Sequence, residues 1–125
     1  MNVKIDTKEK FSVITPADEI FTANMTGELS NLLLGYINKN IPHLVLNLEA
    51  VKEIDVVCCE TIATIQQQFY EQNCSFVICE MAAAVEDVFE QAELLELLNA
   101  TPTETEAWDI VQMEEIEREL LGDFD

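Results

Sequence analysis

Val3 and Ile5 alternate with polar neighbours, and Phe11, Val13 and Ile14 follow before Pro16. That pattern predicts two strands within the first 21 residues or so. From Thr26-Gly-Glu-Leu the period changes. Leu29, Leu32, Leu33, Tyr36 and Ile37 recur at helical spacing until Asn38-Lys-Asn and Pro42 close the run. His43-Leu-Val-Leu-Asn-Leu predicts a strand with Leu44, Leu46 and Leu48 on one face and Val45 on the other. Apolar side chains on both faces belong to a strand covered on both sides. Asp55 then precedes Val56 as an N-cap for a helix running to about Gln72. Cys58 or Cys59, Ile62, Ile65 and Phe69 form its buried stripe. Ser75-Phe-Val-Ile-Cys-Glu predicts a second buried strand, and Ala83 to about Leu98 a helix with Val85, Val88, Phe89, Ala92 and Leu95 in register. Ala100-Thr-Pro-Thr is a short strand or turn. Thr103-Glu-Thr-Glu caps a last helix carrying Ala107, Ile110, Met113, Ile116 and Leu120, whose Trp108 packs on the sheet with Ala107 and Val111.

Strand and helix alternate after residue 25, so the expected fold is α/β. It is a small mixed sheet of four or five strands, mainly parallel, with an N-terminal strand pair at one edge and about four helices mainly on one face. At 125 residues the chain predicts one domain over 1–125, with a frayed tail over 121–125. There is no internal repeat and no interdomain linker.

Charge narrows the partners. The chain holds 25 acids and 6 bases, a formal net charge of −19. Residues 1–52 are nearly balanced, with 6 acids and 5 bases, whereas residues 53–125 hold 19 acids and only Arg118. Phosphate binding needs clustered Lys and Arg, so nucleic acid and anionic membrane surfaces are disfavoured. An acidic face keeps the protein soluble and steers a basic partner. The N-terminus lacks the apolar region of a signal peptide, and no apolar run spans a membrane, so a cytoplasmic protein with reduced thiols is expected.

Catalytic and metal patterns are weak. Cys58, Cys59, Cys74 and Cys79 are not spaced as zinc ligands. Cys58 or Cys59 at a helix N-terminus is a candidate reactive thiol, opposed by Asp55 and Glu60, with core packing as its ordinary role. His43, the single histidine, has no nucleophile near it in sequence. No glycine-rich phosphate loop and no metalloprotease motif occurs. The expectation is no enzyme, no cofactor and no metal.

Three stretches carry a resemblance. Leu44-Val-Leu-Asn-Leu-Glu-Ala-Val-Lys-Glu-Ile-Asp55 is an apolar strand and turn ending on an aspartate. Phe76-Val-Ile-Cys-Glu is the next buried strand. Val85-Glu-Asp-Val-Phe-Glu-Gln-Ala-Glu-Leu-Leu-Glu-Leu-Leu98 is a helix followed by apolar pairs, and Thr105-Glu-Ala-Trp starts the last helix. In order and spacing these resemble the STAS domain, the family of bacterial anti-sigma factor antagonists, over about His43 to Val111. Residues 1–42 match only in order of elements. The resemblance implies a protein-binding module whose members dock on a kinase-like ATPase that holds a sigma factor. That kinase phosphorylates a serine at the start of the helix after the strand, and the added charge breaks the complex.

The family writes Asp-Ser-Ser-Gly where this chain has Asp55-Val56-Val57-Cys58. Val57 therefore stands at the phosphoacceptor position without a hydroxyl, and the nearest hydroxyl is Thr61. The expected partner-binding residues are Asp55, Val56, Val57, Cys58, Glu60 and Thr61. Asp55 caps the helix, Val56, Val57 and Cys58 offer apolar contact, and Glu60 steers encounter. Two partner classes follow: a kinase-like anti-sigma regulator, or a transport ATPase or permease to which the domain attaches as a regulatory subunit. A small-ligand or nucleotide binder is the minor alternative. Met113, Ile116 and Leu120 carry the last stripe beyond what the fold needs, and a homodimer is one use for it.

Overall fold

The computed structural model describes residues 1–122. The chain runs β1 (Val3–Thr7), β2 (Ser12–Pro16), β3 (Ile20–Phe21), a 3₁₀ turn (Ala23–Met25), α1 (Thr26–Leu34), β4 (Leu44–Asn47), β5 (Glu53–Ile54), α2 (Val56–Glu71), β6 (Phe76–Cys79), α3 (Ala83–Gln91), a 3₁₀ turn (Leu95–Leu97), β7 (Ala100–Thr101) and α4 (Glu104–Gly122). A five-stranded sheet has the order β1-β2-β4-β6-β7. β1 lies antiparallel to β2 at one edge, and the other pairings are parallel. The α/β class and the edge strand pair agree with the sequence reading.

Every residue of β4 and β6 is buried, as expected of strands covered on both faces. On one face Ile14, Leu44, Leu46, Phe76 and Ile78 meet α1, α2 and α3 through Leu29, Leu33, Ile62, Phe69, Val85 and Phe89. On the other, Val13, Val45, Val77 and Cys79 meet α4 alone through Ala107 and Val111. Three helices on one face and one on the other is the expected asymmetry. Phe11 and Trp108 extend the smaller core, with ring centroids 5.8 Å apart.

Four details depart from the sequence reading. β3 and β5 were not anticipated. They are two residues each and form a separate parallel pair, Ile20 with Glu53 and Phe21 with Ile54. α1 ends at Leu34, and its last turns tighten to i→i+3 bonds that carry Tyr36 into the core. α3 ends at Gln91 rather than near Leu98. Glu93 takes φ 60°, and Leu94 N–H returns to the Phe89 carbonyl. This is the left-handed helix stop that glycine usually signals; here a glutamate occupies it, so the sequence carries no marker. In α4, Met113, Ile116 and Leu120 do not continue the sheet-facing stripe of Ala107 and Val111. The later sheet-side positions are Glu114 and Arg118, which bond to Tyr70 and Ser75. Of the tail expected to fray over 121–125, Leu121 and Gly122 are the last residues of α4 and 123–125 lie outside the described residues.

Thr103 caps α4 as read, its hydroxyl accepting the Glu106 N–H at 3.3 Å. A second cap comes from across the sheet. Glu80, held at φ 59° just past β6, accepts the Glu104 N–H through its carboxylate at 2.8 Å.

Candidate functional site

The first turn of α2 is fixed from three directions. Asp55 has extended backbone, and its Oδ1 accepts the Val57 N–H at 2.9 Å, the N-cap bond expected from sequence. Its own N–H donates to the Phe21 carbonyl at 2.9 Å. The unanticipated β3–β5 pair thus holds the turn that launches α2. From below, the Cys58 thiol donates to the Thr22 carbonyl at 3.0 Å.

With the turn clamped, Val56 and Val57 stand 44% and 43% exposed. Strand alternation puts Phe21 in the core and leaves Ile20 outside, 52% exposed. Beyond Val57 a groove of about 370 Å³ runs between α1 and α2, lined by Ser30, Leu34, Val57, Thr61 and Gln68 among others. Glu60 is exposed at its side. Thr61 is half-buried, and its hydroxyl donates to the Val57 carbonyl at 2.9 Å, so it is turned back onto its own helix.

Asp55, Val56, Val57, Glu60 and Thr61 therefore share one end of α2. Cys58 is the correction. Its side chain is fully buried, so it offers no apolar contact to a partner. Its position is one at which the helix turns inward, and the thiol spends its proton on Thr22. Ile20 and the α1 residues Ser30 and Leu34 were missed. Leu34 falls outside the Leu29–Leu33–Tyr36 register, which was the available signal; Ile20 lies on a strand too short to have a period.

The surroundings of Cys58 and Cys59 disfavour the thiolate. Burial, and then the nearby Asp55, push Cys58 up, and burial with Cys58 and Asp55 beside it pushes Cys59 up to about 12. Both stay protonated near neutral pH, where the thiolate is the reactive species. His43, at the opposite end of the sheet, accepts the Ser75 N–H through Nδ1 at 3.0 Å. Among the described residues no group of three or more His, Cys, Asp or Glu is placed to hold a metal ion, and no helix is long and apolar enough to cross a membrane.

A family model for the STAS domain matches residues 2–107. The chain belongs to the STAS domain family. No curated protein matches its sequence. Among solved structures, a Thermotoga maritima protein assigned as an anti-sigma factor antagonist superposes with a TM-score of 0.78 at 18% identity, covering 88% of this chain and 94% of that one. An anti-sigma factor antagonist from Mycobacterium paratuberculosis gives 0.77 at 16%, covering 89% and 93%. Part of the murine solute carrier 26 family member A9 anion transporter gives 0.69 at 13%, covering 83% of this chain and 18% of the transporter. At these identities the likeness is one of fold, and the match over residues 2–107 extends the STAS domain to the N-terminal strands. Ordering within that fold places the β5–α2 turn and its two exposed valines at a junction of strand pair, helix and groove.

Proposed function

We propose that this STAS domain is a protein-recognition module of the anti-sigma factor antagonist kind, and that its partner face is the first turn of α2 with the adjoining groove. One observation carries the reading. Val56 and Val57 are exposed side by side on a turn that Asp55, Phe21 and Thr22 hold rigid. Adjacent exposed apolar side chains on a pre-ordered turn lose little entropy on docking and shed water when covered.

Val57 stands where the family carries its phosphoacceptor serine. With no hydroxyl there, Val57 keeps the contact in its unmodified form, and the nearest hydroxyl, Thr61, is bonded back to its own helix. Glu60 and the surrounding acids favour encounter with a basic surface. The likeness to part of an anion transporter supports a second reading, in which the same face seats the domain on a transport ATPase or permease.

The test is capture of partners from the native lysate, with and without detergent, using wild type and Val57→Asp as baits. A soluble kinase-like ATPase retained by wild type and lost by Val57→Asp supports the signalling reading. A transport protein recovered only in detergent, and lost in the same way, moves the domain to the transporter class. Equal recovery by both baits removes α2 as the partner face.

A further inference from the structure

α4 touches the domain with one side only. Ala107 and Val111 are buried, Glu114 and Arg118 half-buried, and these positions share one helix face. Met113, Ile116 and Leu120 lie on the opposite face at spacings of three and four residues, 58%, 55% and 56% exposed. A scattered apolar residue on a surface needs no explanation, but an ordered two-turn seam does. The seam is bordered by the exposed acids Asp109, Glu117 and Glu119. The helix's single base, Arg118, is turned inward, where its guanidinium donates to the buried Ser75 hydroxyl at 2.8 Å.

Apolar positions three and four apart with charges on their flanks are the pattern by which one helix packs against another, and the flanking charges choose the partner. A second copy of this chain would set Glu117 and Glu119 against acids of the same kind, between molecules already at −19. A helix with apolar residues in register and Lys or Arg beside them matches both features of the seam. We propose that the outer face of α4 docks an amphipathic basic helix of a partner protein, on a surface separate from the first turn of α2.

The probe is a fluorescein-labelled peptide of three heptads, with Leu at the seam positions and Lys at the flanks. A scrambled peptide of the same composition and a Glu-for-Lys version serve as controls. Binding is read by anisotropy at about 0.1 M salt. The expected result is that wild type binds the ordered Leu/Lys peptide at least about tenfold tighter than either control, a difference of about 1.4 kcal/mol. Ile116→Asn/Leu120→Asn should lose that advantage with an unchanged thermal transition, since both positions are exposed. Val57→Asp should keep it, which separates this surface from the proposed α2 face. Equal affinity for ordered and scrambled peptides, or no effect of the double substitution, overturns the proposal. So does a self-associating wild type in sedimentation velocity that the double variant turns monomeric, because the seam then belongs to a second copy.

Discussion

Replacing Gln66 by Leu tests whether the polar tie between α2 and the sheet edge holds the domain together. Gln66 lies mid-helix, 4% exposed, on a face otherwise apolar. Its Nε2 donates to the Phe76 carbonyl at 2.8 Å and to the Asn99 carbonyl at 3.1 Å, and its Oε1 accepts the Asn99 N–H at 3.0 Å. One side chain thus joins α2 to β6 and to the segment leading into β7. In Gln66→Leu the Asn99 carbonyl keeps the Ile78 N–H at 3.0 Å, but the Asn99 N–H loses its acceptor and Phe76 loses a donor. A buried group left unpaired costs about 1–3 kcal/mol, and a lost bond to a group with another partner about 1 kcal/mol. Leucine returns about 1 kcal/mol through its extra buried apolar surface. With two groups left unpaired, the net loss is at least about 2 kcal/mol. For a chain of 125 residues each kcal/mol moves Tm by about 4 °C, so the expected drop is at least about 8 °C. Circular dichroism on wild type, Gln66→Leu and Gln67→Leu reads this directly. Gln67 is exposed and reaches only Glu71 on its own helix at 3.4 Å, so its substitution should move stability by less than about 0.5 kcal/mol. A Gln66→Leu shift below about 2 °C would mean that the tie contributes nothing that water does not replace.

Asp55→Ala removes the N-cap bond to Val57 and should cost about 1 kcal/mol, or about 4 °C in Tm, by thermal unfolding; it should also weaken partner binding by loosening the turn. Cys58, Cys59 and Cys79 are fully buried, and burial is the main cause that pushes Cys59 and Cys79 up to about 12; iodoacetamide at about pH 8 should label none of the three before denaturant is added, as mass spectrometry of the intact protein will show. Burial, then Arg118, lower the His43 pKa from its ordinary 6.5. The unfolded chain therefore takes up the proton first, and stability falls as pH drops below about 6.5. Urea midpoints at about pH 7.5 and about pH 5.5 should show a smaller acid loss in His43→Asn than in wild type.

The parts of this fold with a strong period were legible in the sequence. β4 and β6 announce themselves because both faces must be apolar, and α2 because Asp55, Ile62, Ile65 and Phe69 combine a cap with a stripe. The strand pair β3–β5 was not legible, since two residues have no periodicity and their pairing is long-range. The end of α3 was not legible because Glu93 adopts the left-handed turn that sequence reading assigns to glycine or asparagine. At the site, Asp55 caps α2 as the sequence reading has it, and Cys58 takes the place in the buried stripe with Ile62, Ile65 and Phe69 that the periodicity offered, not the place in the contact surface that the resemblance offered. Helical spacing from Cys58 to Ile62, Ile65 and Phe69 fixes its inward side, which the Asp-Ser-Ser-Gly comparison does not take into account. On α4 the charged residues misled the reading. Glu114 and Arg118 look like solvent positions in sequence, yet bonds to Tyr70 and Ser75 draw them toward the sheet side and leave Met113, Ile116 and Leu120 outside.

If the apolar first turn of α2 is the proposed partner face, it is a standing contact that needs no modification to be competent. Calorimetric titration of the captured partner with wild type, Val57→Ser and Val57→Asp tests it most directly. Wild type should bind without any prior treatment, Val57→Ser within a few-fold of it, and Val57→Asp at least about tenfold more weakly, about 1.4 kcal/mol, because it buries an unpaired charge. Equal affinities for wild type and Val57→Asp would contradict it.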